Sequence, residues 1–367
     1  MSPRMLTDEQ KDRAAGVLLG AAIGDALGVP YEFRPLLPED EMPEMKGGGL
    51  GSYRPGEYSD DTQMAVCIAN ACEAHAFGSQ PRGALDAIAA NFLDWKRSRP
   101  ADVGILTAGV LESAEQMLGP PSQKCEAAAV QAYERDRSAF GNGALMRTAP
   151  VGLLALGYDD IAQARLATAE AARAIAALTH ADPRAGDACV LWSEAVRVAV
   201  LDGRLELAAG LDLIPEERDP AGDDQQPPKP RAWWADVIAE ADAADWRDFR
   251  GQKNGATHKS LKVAWAGIRS TAEPGGASGL DGGDATAHVR RALAAVVHVS
   301  WDTDTTAAIA GGLLGARYGA AALPDDWTLQ VNGWSGLTEP RTYRAADLKA
   351  LALRVAEANG PAGGVAE

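Results

Sequence analysis

The chain has 367 residues, 46% of them hydrophobic, which is enough for one large domain or two smaller ones around a substantial core. Its 51 acidic and 35 basic residues leave a formal charge of −16, which argues against a nucleic-acid backbone or an anionic membrane as main partner while leaving room for a local basic pocket. The four cysteines, Cys67, Cys72, Cys125 and Cys189, form no C-x-x-C pair and sit in alanine-rich stretches, so they read as buried reduced thiols.

The opening residues, MSPRMLTDEQKDR, hold none of the apolar run of a signal peptide. The longest apolar runs fall short of the ~20 residues that cross a membrane, so a cytoplasmic chain is expected. Alanine and leucine then recur at helical spacing over 9–28, 60–77, 83–97, 105–117, 124–136, 160–178, 186–201, 288–299, 304–320 and 345–358. Alternation of Val, Ile and Thr is nearly absent. The predicted class is all-α: a compact multi-helix bundle around one core. Gly and Pro clusters at 29–58, 118–123, 140–152 and 270–284 punctuate it. One domain over 1–358 is expected, with an insertion at 203–285 and a disordered tail at 359–367. Residues 203–230 are acidic and then Pro-rich, as in an exposed insertion and not a catalytic loop. Trp233, Trp234 and Trp246 are read as anchors of an inserted helix pair in preference to a stacking platform.

Two helix starts stand out, Ser59-Asp60-Asp61-Thr62 and Asp302-Thr303-Asp304-Thr305. One acid or hydroxyl suffices to cap a helix, yet each start carries two Asp beside Ser or Thr. Neighbours on a helix point about 100° apart, so Asp60 and Asp61 can serve two different cations. Asp302 and Asp304, if extended, face one side and can clamp one. Two carboxylates ~4 Å apart repel by about 4 kcal/mol at an effective dielectric near 20. Four of them converging therefore require cations. With Ser59 and Thr305 the donors are all oxygen, with no His or Cys, which selects Mg²⁺ or Mn²⁺ (or Ca²⁺) over Zn²⁺.

These residues, with others in order, carry a resemblance. Gly16-Val17-Leu18-Leu19-Gly20 leads into Ile23-Gly24-Asp25-Ala26-Leu27-Gly28 and Pro30-Tyr31-Glu32-Phe33. Gly47-Gly48-Gly49 precedes Pro55-Gly56-Glu57-Tyr58-Ser59-Asp60-Asp61-Thr62. Gly141-Asn142-Gly143-Ala144-Leu145-Met146-Arg147, Thr179-His180-Ala181-Asp182-Pro183 and Asp302-Thr303-Asp304-Thr305 follow. The chain resembles the ADP-ribosylglycohydrolase family over about residues 9–320, with 203–285 poorly matched.

The resemblance implies an all-α fold around two Mg²⁺ (or Mn²⁺) ions held by Ser59, Asp60, Asp61, Asp302, Asp304 and Thr305. The implied reaction is hydrolysis of an ADP-ribosyl glycosidic bond, with ADP-ribose or an ADP-ribosylated protein as substrate partner; a monomer is expected. Cleavage at C1 of ribose passes through an oxocarbenium-like state and needs a proton moved, a task expected of Asp61, Asp304 or Glu32. Gly141, Asn142, Gly143, Met146 and Arg147 are expected to contact diphosphate or ribose, since glycines let backbone approach a phosphate, with an internal acid as the equal alternative partner for Arg147. His180 is expected at ribose or adenine, and Asp25 as a cap or brace of the first helix or, by the family match, a group behind the metals. Three departures from the family pattern are Ser59 for the usual Thr, Ser300-Trp301 for a small pair, and Ala139 for Ser or Asp. The rival reading within the family is a silent ADP-ribose binder. A haloacid-dehalogenase-like phosphatase would need βα units where only 61 residues follow Thr306. An isoprenoid synthase would need an acid where Met64 stands.

Overall fold

A computed structural model describes residues 4–138, 140–219, 223, 226–272, 284–299, 301–336 and 342–359. Among them are thirteen α-helices: α1 (Asp8–Gly28), α2 (Asp60–Ala74), α3 (Pro81–Arg97), α4 (Ile105–Glu115), α5 (Pro121–Arg135), α6 (Ile161–Ala177) and α7 (Pro183–Asp202) in the first half. The second half holds α8 (Pro230–Ala243), α9 (Thr257–Ser270), α10 (Ala285–Val299), α11 (Thr303–Tyr318), α12 (Asp325–Gln330) and α13 (Ala345–Ala358). Every helix expected from periodicity is present, and the fold is all-α. The one sheet described is a hairpin pairing β1 (Asn332–Trp334) with β2 (Thr342–Arg344), too short for alternation to reveal. Ala139, Ser300 and the tail from residue 360 lie outside the described residues.

The central element is α1. A capping box between Thr7 and Gln10 starts it, and every residue from Arg13 to Gly28 is buried. A helix apolar all round belongs inside a core. Contrary to the expectation from run length, α1 is long and apolar enough to cross a membrane, but its apolar window is wholly enclosed by the protein. Gly16, Gly20, Gly24 and Gly28 recur every four residues and form one stripe. That stripe meets α11 backbone to backbone, antiparallel. A Cβ added at Gly20 would lie 2.2 Å from the Gly311 oxygen, and one at Gly28 would lie 2.4 Å from Asp304 Cα. Larger residues would hold the helices apart. The stripe thus brings the end of α1, with Asp25, against the start of α11, with Asp304.

Trp234 is fully buried and Trp246 nearly so, both within the main core, and Trp233 packs partly buried against it. The four cysteines are free and buried.

Candidate metal centre and substrate cavity

The start of α2 is capped from outside the helix. Asp25 accepts the N–H and hydroxyl of Ser59 (2.8 Å each) and those of Thr62 (2.9 and 2.6 Å). Asp25, expected first of all to cap or brace its own helix, instead caps the start of α2, which relieves Asp60 and Asp61 of capping. The Ser59 hydroxyl lies 2.8 Å from Asp25 Oδ1, 2.9 Å from Asp61 Oδ2 and 3.5 Å from Asp304 Oδ2. Its single proton can serve one of these acceptors. Asp61 Oδ1 is buried without a hydrogen-bond partner. A buried carboxylate oxygen left so is costly unless a cation meets it.

Two groups of three carboxylates result. Oxygens of Asp25, Asp61 and Asp304 lie within 4.8 Å of one another, as do those of Glu32, Asp302 and Asp304. Asp304 belongs to both. Asp302 and Asp304 converge because Asp302 caps α11 and Asp304 sits in its first turn, and not through an extended stretch. Burial, then neighbouring Asp302, pushes Glu32 up to about 9. Burial, then Asp102, pushes Asp60 up to about 7. Asp61 and Asp304 rise well above the ordinary carboxylate range, again first through burial. Ionising all of them together needs positive charge among them. The donors are hard oxygens throughout, so the clusters can hold a divalent metal ion.

Above the clusters opens a cavity of about 790 Å³. Glu32, Asp60, Asp302, Asp304 and Thr305 line its acidic floor, and Gly141, Asn142, Gly143, Met146 and His180 line another part. The structure therefore gathers the expected residues in one place, Arg147 apart, with two qualifications. Asp60 lies outside both carboxylate triads, turned along the cavity towards Gly104 and Asp102. Ser59 and Asp61 lie beneath the floor, fully buried. Asp102, which also lines the cavity, escaped the sequence reading because a single acid in a loop carries no periodic or motif signal. Gly255 and its neighbour Asn254 escaped too, because they fall in the stretch read as an insertion.

Arg147 corrects the expectation of a phosphate contact. Its side chain is fully buried, stacks over Phe92 and donates to Thr179 Oγ1 at 2.6 Å, and it is not part of the cavity wall. Helix packing behind the loop draws it inward. The threonine proton then points to His180 Nδ1, 2.8 Å away. By this hydrogen-bond pattern the ring hydrogen sits on Nε2, beside Gly143 at the cavity wall. A Cβ at Gly143 would meet the His180 ring at 3.0 Å, so the loop needs glycine there for close approach to the histidine. Asn142 lines the cavity and has a further task. Its N–H goes to the Gly255 carbonyl at 3.2 Å and its amide donates to Asp302 Oδ2 at 2.8 Å, so it supports a carboxylate of the floor. Trp301 does not line the cavity. Its ring meets Phe33 edge-on with centroids 5.9 Å apart, and Phe33 does line it.

A sequence model of the ADP-ribosylglycohydrolase family matches residues 6–363. The chain belongs to the ADP-ribosylglycohydrolase family. It is 26% identical over 332 residues to ADP-ribosyl-[dinitrogen reductase] glycohydrolase of Rhodospirillum rubrum, covering 88% of this chain and 90% of that protein. It is 27% identical over 346 residues to the ADP-ribosylarginine hydrolase Tri1 of Pseudomonas putida, covering 90% of this chain and 77% of that one. A solved structure titled "ADP-ribosylglycohydrolase-related protein complex" superposes with a TM-score of 0.67 at 25% identity, covering 96% of this chain and 100% of its own. The chain is thus a member of a family of hydrolases that act on ADP-ribosyl glycosidic bonds.

Proposed function

We propose that this ADP-ribosylglycohydrolase releases ADP-ribose from a modified protein side chain, using two Mg²⁺ or Mn²⁺ ions. The observation that carries the reading is the pair of carboxylate triads sharing Asp304 beneath the cavity. Asp61 and Asp304, braced by Ser59 and Asp25, would hold the ions with Glu32, Asp302 and Thr305. Bound there, such ions would supply positive charge to orient ribose hydroxyls and ease deprotonation of water. Glu32 faces the cavity from within its triad and takes the proton from the attacking water. Asp60 and Asp102, on the adjoining wall, face the leaving group. Two acids there suit a cationic leaving group such as the guanidinium of arginine. His180 donates from Nε2, and Met146 gives an apolar wall.

The test is a substrate panel: ADP-ribosyl-arginine, ADP-ribosyl-serine and O-acetyl-ADP-ribose, each with Mn²⁺ or Mg²⁺, with free ADP-ribose measured by chromatography. Release from the arginine conjugate, abolished in Asp304→Ala, is the expected result. Tight binding of ADP-ribose with no release from any conjugate would replace this reading with a silent binder.

A further inference from the structure

Asp302 sits in an exacting position. It follows Trp301, whose backbone is left-handed at φ 66°, a conformation that a bulky residue holds only when its surroundings fix it. The residue is half-buried and its carboxylate shares a triad with two other acids, so repulsion favours swinging it away from them.

Three polar side chains oppose that. Asn142 Nδ2 donates to Asp302 Oδ2 at 2.8 Å. Asn254 Oδ1 accepts the Asp302 N–H at 3.1 Å. The Ser260 hydroxyl joins the two, donating to the Asn254 carbonyl at 2.5 Å and accepting from Asn142 Nδ2 at 2.9 Å. The geometry is directional. With its proton committed to the Asn254 carbonyl, Ser260 can only accept from Asn142. The asparagine must therefore turn its amino group this way, and the second N–H then falls on Asp302. All three residues of the clasp are buried, Ser260 completely.

We propose that Ser260 is a positioning residue for the metal centre: through Asn142 and Asn254 it fixes both the carboxylate and the backbone of Asp302. The inference rests on the metal-binding reading above. It also gives residues 254–260, from the stretch that reads as an insertion, a part in the active site.

The experiment measures Mn²⁺ affinity of the folded protein from the electron paramagnetic resonance signal of free Mn²⁺. Outer-shell substitutions typically weaken metal binding ~10–100-fold. That loss is expected for Ser260→Ala and independently for Asn254→Ala, while Ser260→Thr, which keeps a hydroxyl, binds as wild type. Thr257→Val is the control. It removes a neighbouring buried hydroxyl that donates to the Gly141 carbonyl at 2.5 Å but does not touch Asp302 or its clasp. It is expected to keep the wild-type affinity. Wild-type affinity in Ser260→Ala, or an equal loss in Thr257→Val, would overturn the proposal. Failure of the wild-type protein itself to bind Mn²⁺ would overturn the metal-binding reading, and this inference with it.

Discussion

Burial, assisted by the Arg147 guanidinium, pushes His180 down to about 3, so its ring stays neutral near neutral pH and offers one fixed donor. The stability consequence has a definite sign. In the unfolded chain the imidazole protonates near pH 6.5, whereas in the folded chain it resists until about 3. Below pH 6.5 the unfolded state binds more protons, so stability falls as pH falls across that window. Between pH 7 and 5 the contribution is on the order of 1–2 kcal/mol. Urea unfolding at the two pH values should show the drop, and His180→Gln should remove that part of it. An unchanged slope in the variant would mean that the ring is not shielded as described. Arg147 teaches the same lesson about residues. An arginine in a glycine-rich loop reads as a phosphate ligand, yet here it orders a histidine through a threonine. Nothing in the order of residues distinguishes those outcomes, because both place the arginine beside the same loop.

Among the helices, the α1–α11 contact controls whether the triads exist at all. Asp25 and Asp304 come together only because glycines let the two backbones touch. Gly20→Ala would place a methyl 2.2 Å from the Gly311 oxygen. The expected cost is about 1–3 kcal/mol or more in urea unfolding, with weaker Mn²⁺ binding as the helices separate. Gly109→Ala, in the exposed part of α4 with nothing within 4 Å, is the contrasting case. There the substitution should raise stability by about 0.5–1 kcal/mol through helix propensity alone. Equal effects at the two positions would argue against close contact as the reason for the stripe. Helix identity was readable from alanine and leucine periodicity, and so were the acid-rich starts of α2 and α11. The helices α8 and α9 were foreseen only as an inserted pair held by tryptophans. Proline and acidic residues ahead of them blurred the pattern, and so the approach of Asn254 and Ser260 to Asp302 was out of view.

For the whole molecule, folding gathers acids that would otherwise repel, and cations should repay that cost. Mn²⁺ at 100 times its Kd should stabilise the fold by about 2.7 kcal/mol, and EDTA should reverse it. Because Glu32 is pushed up to about 9, and Asp61 and Asp304 well above the ordinary carboxylate range, protons compete for the same oxygens at low pH. Lower pH fills these sites with protons and higher pH frees them. Stabilisation by Mn²⁺ should therefore grow from pH 6 to pH 8, read as the difference in Tm between Mn²⁺ and EDTA at each pH. A difference independent of pH would show that cations bind elsewhere.

The sequence by itself determined the helices, the oxygen chemistry at Asp60–Asp61 and Asp302–Asp304, and the family, because each depends on residues close together in the chain or on motifs in order. The tertiary structure decided which oxygens meet. It drew Asp25 and Glu32 into the triads, turned Asp60 along the wall to Asp102, withdrew Arg147 behind the loop and committed the Asn142 amide to Asp302. Those outcomes rest on how helices some 245 residues apart settle against each other, with Ser59 and Asp304 as the measure. Local pattern fixes a side chain's chemistry, but packing at that range fixes its neighbours.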